Sequence, residues 1–253
     1  MWELLVLPLF LFFNYECGLA LKRYDRFTCD KTTHYYVLHT ITNIIISCLT
    51  FNDMMFTLQH PLDSLQPEYS HSKAGLYIMI ALHIYHVMTN YRTMRLDDWV
   101  HHIVNAGFTS LFALYYFSGQ LVNYMLFYLC GLPGGMSYCL LVLYKYGYIT
   151  KTRERYWNMH FNMWIRMPGI LYSCIVGYVA MIYRNYEYNH RLWWTMIILN
   201  AINCIYFATE ACKSYQKHSH SVVCEKTQGS GSGSLCEYTK TRLAETEMIP
   251  LGK

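Results

Sequence analysis

The sequence predicts an all-α fold, a polytopic transmembrane helical bundle of about seven spans with a disordered cytosolic C-terminal tail. Three observations predict it. Charged residues make up 14% of the 253-residue chain and hydrophobic residues 54%, whereas a soluble domain carries roughly a quarter charged. Apolar runs recur from Trp2 to Ala211, each approaching the ~20 residues that cross a hydrocarbon layer. A soluble fold could hide one or two such runs in its core, but not six or seven. Beyond Tyr215 the chain turns polar and mixed in charge, with QGSGSGS at residues 228–234. Such a segment cannot bury enough apolar area to offset its ordering entropy.

Taken in order, the expected spans are residues 4–21, 34–58, 74–91, 98–117, 121–144, 163–183 and 192–212. The first resembles a signal-peptide core, but a basic start and a small-residue cleavage site are absent, so it reads as a retained span. The fifth contains CGLPGG at residues 130–135. Pro133 removes a backbone donor there and the glycines loosen the helix, which predicts a kink or break. Broken helices at membrane depth line protein or a watery cavity, although packing alone would also explain one. No internal repeat is visible.

Loop charge sets the orientation. Connections after spans one, three and five carry Lys22, Arg23, Arg26, Lys31, Arg92, Arg95, Lys145, Lys151, Arg153 and Arg155. Those after spans two, four and six carry Lys73, Arg184 and Arg191. Short cytosolic loops are the ones enriched in Lys and Arg, so the first set faces the cytosol and the chain begins outside. The net charge of +4 does not point to nucleic acid. Cys48, Cys130, Cys139, Cys174 and Cys204 lie in apolar segments and read as small hydrophobes. Cys212, Cys224 and Cys236 read as free thiols, palmitoylation near the membrane being the alternative. No Asn-x-Ser/Thr acceptor occurs.

Chemistry concentrates on spans three and four. The run ALHIYHVMTNYRTMR holds His83, His86 and Asn90, and helical neighbours three and seven apart share a face. LDDWVHHIVNAGFT follows, with Asp98 within a turn of His101 and His102, and with His101, Asn105 and Thr109 at four-residue spacing. The short turn between the spans makes them antiparallel neighbours, so four histidines and two aspartates share one depth. Ionisable groups inside a bilayer are costly unless they face a cavity or each other. A carboxylate beside an imidazole holds its tautomer and raises its basicity, as a general base needs. The alternative is a set of interhelical hydrogen bonds or headgroup contacts.

The basic stretch LYKYGYITKTRERYWNMHFNMWIRMPG joins spans five and six, with Trp157 and Trp164 as interfacial anchors. It reads either as an interfacial segment on anionic headgroups or as a dock for a phosphate-bearing substrate, with Arg153, Arg155 and Arg166 as cations. Glu210 in the last span has Lys213 as a ready partner.

Asp98-Trp99-Val100-His101-His102 resembles the TLC-domain family of ceramide-synthase-like membrane proteins, with the likeness covering residues 34–214. The chain then divides into a first span and basic loop (1–33), the TLC-like membrane domain (34–214) and the tail (215–253). The resemblance implies a lipid-handling helical bundle in the endoplasmic reticulum or another endomembrane. In acyl-transferring members it implies that His101 and His102, with Asp98 orienting them, acylate a long-chain base with acyl-CoA as co-substrate and no bound cofactor. Other members influence membrane lipid composition without an established reaction, so a non-enzymatic role stands beside the enzymatic one. Within the pocket His83, His86, Asn90 and Asn105 would contact substrate, together with Arg153, Arg155 and Arg166. Leu82-His83-Ile84-Tyr85-His86 also resembles the histidine box of fatty-acid elongases, with Val87 where that box has its adjacent second histidine. Iron held by His83, His86, His101 and His102 is a third chemistry. Membrane lipids and acyl-CoA are the expected partners, and the reading leaves a homo-oligomer open.

Overall fold

An apolar slab offers no water to backbone N–H and C=O groups, and a helix satisfies them within its own segment. The computed structural model describes residues 5–24, 31–66, 72–94, 96–116, 119–184 and 190–229. Among these no strand occurs, and the helices run as seven rods. The first three are α1 (Val6–Tyr24), α2 (Lys31–Gln59) and α3 (Ala74–Asn90). The fourth links α4 (Leu96–Val100) to α5 (Thr109–Tyr116) through the wide segment His101–Phe108. The fifth links α6 (Gln120–Leu126) to α7 (Leu132–Lys145) through Phe127–Gly131. The sixth links α8 (Lys151–Phe161) to α9 (Met167–Arg184) through Asn162–Arg166, and the last is α10 (His190–Gly229). All three linking segments are π-helical, so each rod continues without a break.

Four rods are long and apolar enough to cross a membrane: Thr33–Gln59, Gln120–Lys145, Lys151–Tyr183 and Arg191–Ser221. The fold is a helical membrane bundle. The count of seven spans is not reached by this measure. α3 has 17 residues, roughly 25 Å at 1.5 Å per residue, which falls short of a ~30 Å hydrocarbon core. Residues 96–116 begin with two aspartates, and Val6–Leu21 is a shorter apolar stretch.

Packing is inverted relative to a soluble protein. Along α2, His39, Asn43, Ile46, Thr50 and Thr57 are all buried and recur at helical spacing, while Ile41, Ile44, Leu49, Phe51 and Met55 are exposed. The threonines are satisfied locally, Thr50 Oγ1 donating to the Ile46 carbonyl at 2.7 Å. Outward-facing apolar side chains recur on α9, at Ile175, Tyr178 and Ile182, and on α10, at Ile198, Ile202 and Ile205. Exposed apolar stripes of this extent need an apolar medium. Cys174 and Cys204 are buried free thiols, in keeping with their reading as hydrophobes.

α2 is the hub, packed against α1, α3, α6 and α7. Local turns fix how the rods return. After α7, the Tyr148 N–H reaches the Leu143 carbonyl and the Gly147 N–H the Tyr144 carbonyl, while Gly147 has φ 77°. This is a Schellman ending, and it turns the chain into α8, whose Thr150 side chain accepts from the Arg153 N–H. At the other end of the bundle Gly119 has φ 93°, and a Cβ there would lie 2.4 Å from the Ser64 carbonyl oxygen. That oxygen also accepts from the Leu121 N–H at the start of α6. Gly119→Ala is therefore expected to cost roughly 1–3 kcal/mol from backbone strain alone, and more from the clash. Thermal unfolding of the purified variant in detergent checks this, and an unchanged midpoint would contradict it.

The CGLPGG run does not interrupt the rod, although Gly131 departs from helical backbone at ψ −105°. Pro133 and Pro168 each stand second in the α-helix that follows a π segment. Proline cannot donate to the carbonyl four residues back and its ring crowds it, and a widened preceding turn relieves both problems. α10 also runs on to Gly229, so residues 216–229 are helical where a disordered tail was expected. A helix already nucleated in the bundle gains a hydrogen bond with each added residue. Residues 230–253 lie outside the described residues.

Candidate functional site

Between α2, α3, α7 and α10 lies a cavity of about 480 Å³. All three π segments line it, through His101 and Ala106, through Leu129 and Cys130, and through Asn162 and Arg166. Wide turns recur at functional sites because they push side chains out of the regular register. α2 contributes His39 and Asn43, α7 contributes Gly134, Ser137 and Tyr138, and α10 contributes Asn203, Phe207 and Glu210. These positions fall in the half of the bundle that holds the turns at residues 91–93 and 146–149. The cavity's lining mixes polar side chains with apolar ones, Met79, Leu129 and Leu141 among the latter.

The imidazoles form one array. His83 and His101 face the cavity, with ring centroids 5.8 Å apart. Behind them His86 and His102 stack at 4.6 Å, and His102 stands edge-on to His101 at 5.3 Å. His39 joins from α2, 6.5 Å from His83 and 4.3 Å from the Tyr138 ring. Tyr35 closes the cluster, 4.2 Å from His86, with its hydroxyl 3.2 Å from that of Tyr138.

Tautomers follow from the acceptors. His83 Nδ1 lies 2.8 Å from the Met79 carbonyl, which can only accept. The neutral ring therefore carries its proton on Nδ1 and leaves the Nε2 lone pair available. His101 contacts the Asn203 side chain, and its Nδ1 is buried without a hydrogen-bond partner. Asn43 Oδ1, Ser137 Oγ and Arg166 Nε share that condition. Buried polar atoms without a partner call for an explanation, and all of these belong to residues that line the cavity.

The candidate residues do not all converge. His83, His101 and Arg166 line the cavity, while His86 and His102 form the layer behind the first two. Asn90 donates to the His86 carbonyl at the end of α3 and does not line the cavity. Arg153 is exposed, and Arg155 donates from Nη1 to the Ser214 carbonyl at 2.8 Å. Arg153 stands about 20 Å of helix from Arg166, so the three arginines do not form one cation cluster. The side chains of Asp98 and Asn105 lie outside the described residues. Glu210 Oε1 accepts from Lys213 Nζ at 2.9 Å, as expected.

His39, Asn43, Asn158 and Asn162 belong to the site but were not among the residues singled out. Their signal was available: His39 and Asn43 sit four apart in an otherwise apolar run, as do Asn158 and Asn162 just ahead of the next span. Among the described residues no group of three or more His, Cys, Asp or Glu is arranged to hold a metal ion.

Fold and site together define a helical membrane protein with an imidazole-lined polar cavity in one half of its bundle. Comparison with protein-family models, with curated proteins and with solved structures finds no match.

Proposed function

We propose that the chain is an integral membrane enzyme of lipid metabolism, transferring an acyl group from acyl-CoA to a long-chain base or related lipid. The observation that carries this reading is the His83–His101 pair facing a 480 Å³ cavity lined by both polar and apolar side chains. Such a space suits a lipid, whose alkyl part needs apolar contacts and whose reacting head needs polar ones. His101 serves as the general base. It takes the proton of the nucleophile as that atom attacks the thioester carbonyl, the C–S bond breaks, and CoA leaves as the thiol once it is protonated. His102, edge-on to His101, positions that ring, and the likeness to the TLC-domain family assigns Asp98 the same task. Loop charge puts the cavity on the cytosolic side, where acyl-CoA is available, and an endomembrane is the expected location.

A second reading has its own support. Among the described side chains, no free carboxylate faces His101, because Glu210 is engaged by Lys213. A polar cavity of this kind also serves to hold a headgroup without turnover. Lipidomic comparison of cells making the native protein and the His101→Ala/His102→Ala double mutant, at matched expression, separates the two. Acyl transfer predicts a lipid species that rises with the native protein and not with the mutant. Identical profiles would leave the non-enzymatic role.

A further inference from the structure

Arg166 is held in a way that a structural arginine is not. Among the described residues it is the one Lys or Arg lining the cavity. A guanidinium in a low-dielectric interior is costly unless an anion compensates it, and no described carboxylate does so. Nη1 donates to Asn162 Oδ1 at 2.6 Å, which anchors one end of the fork. Nη2 reaches across to α7, 3.5 Å from where a methyl group on Gly134 would lie. Nε is buried with no partner. The Nε and Nη2 hydrogens form the side-on edge of a guanidinium, the edge that grips two oxygens of one acidic group. That edge makes no hydrogen bond to any described residue, and Arg166 lines the cavity.

We propose that the cavity is the binding site of an acidic lipid, with Arg166 gripping a carboxylate or phosphate through its Nε–Nη2 edge while the alkyl chain lies along Met79, Leu129 and Leu141. Gly134 keeps the approach open, since a Cβ there would also lie 2.9 Å from Asn43 Nδ2. Binding stands independently of turnover. It rests on the acyl-transfer reading only for the acceptor: where that reading holds, the site favours its related-lipid form, an acidic lipid, over the free long-chain base, whose ammonium a guanidinium repels.

The test uses the full chain in phosphatidylcholine nanodiscs and three probes of equal chain length: hexadecanoate, hexadecyl phosphate and hexadecanol. The native protein is expected to bind at least one acid about ten- to a hundredfold tighter than the alcohol, the range of hydrogen bonds to a charged group. Which acid wins tells a free fatty acid from a phosphate headgroup. Arg166→Gln should erase the preference and leave alcohol binding unchanged, and Arg166→Lys should restore part of it. Equal binding of all three probes by the native protein, or a preference that survives Arg166→Gln, would overturn the proposal. If Arg166→Gln does not fold, Gly134→Ala decides. The proposal requires its preference to shrink, and an unchanged preference would count against it. His101→Ala separates the two readings, since it should abolish turnover while leaving acid binding intact.

Discussion

His101→Ala is expected to lower acyl transfer by about 10²–10⁴-fold, the usual contribution of a positioned general base, while His86→Ala costs less than tenfold. The ranking comes from geometry, not from residue type. His101 lines the cavity, whereas His86 stacks on His102 in the layer behind it and reaches the reacting atoms only through other rings. His102→Ala falls between the two, because it removes the edge-on ring that holds His101 in place. Initial rates with purified, reconstituted variants measure the order. A loss at His86 equal to that at His101 would mean that the array acts as a packing unit and not through one exposed base.

Asn123→Leu is expected to destabilise the bundle by about 1.5–3 kcal/mol, the value of a hydrogen bond to a charged group. Asn123 is 1% exposed, and its Nδ2 donates both to Asp53 Oδ2 at 2.6 Å and to the Ser72 carbonyl at 2.8 Å. One amide thus ties α6 to α2 and to the residue two positions before α3, at the opposite end of the bundle from the cavity. Leucine fills the volume but removes the donor that Asn123 gives the half-buried Asp53 carboxylate and the one it gives the Ser72 carbonyl. The double variant Asp53→Ala/Asn123→Leu should therefore lose less than the sum of the two single losses. Thermal unfolding of the four proteins in one detergent measures the coupling, and strictly additive losses would show that the pair contributes nothing as a pair.

Hydrophobic runs alone placed the helices well, since α2, α3, α7 and α9 begin or end within a few residues of the expected spans. The histidines on α3 and after α4 were also legible, because ionisable groups stand out in apolar sequence. What escaped was whatever depends on register. Residues 101–108 are π-helical, a local widening that no hydrophobic pattern announces. The three arginines of the basic stretch looked like one surface because they are close in sequence. Continuous helix from Lys151 to Arg184 puts Arg166 inside the cavity and leaves Arg153 outside. His39 escaped because only tertiary packing brings it against Tyr138 and His83.

The account rests on α2, α3 and α10 turning Asn43, His83 and Asn203 into one lipid-sized, water-reachable space. Single cysteines at these positions (Asn43→Cys, His83→Cys and Asn203→Cys), with the ten native cysteines replaced, can be probed in sealed vesicles with a small membrane-impermeant thiol reagent. All three should label from the same side, and hexadecanoate or hexadecyl phosphate should protect all three together. Labelling from opposite sides, or only by a lipid-soluble reagent, would contradict it.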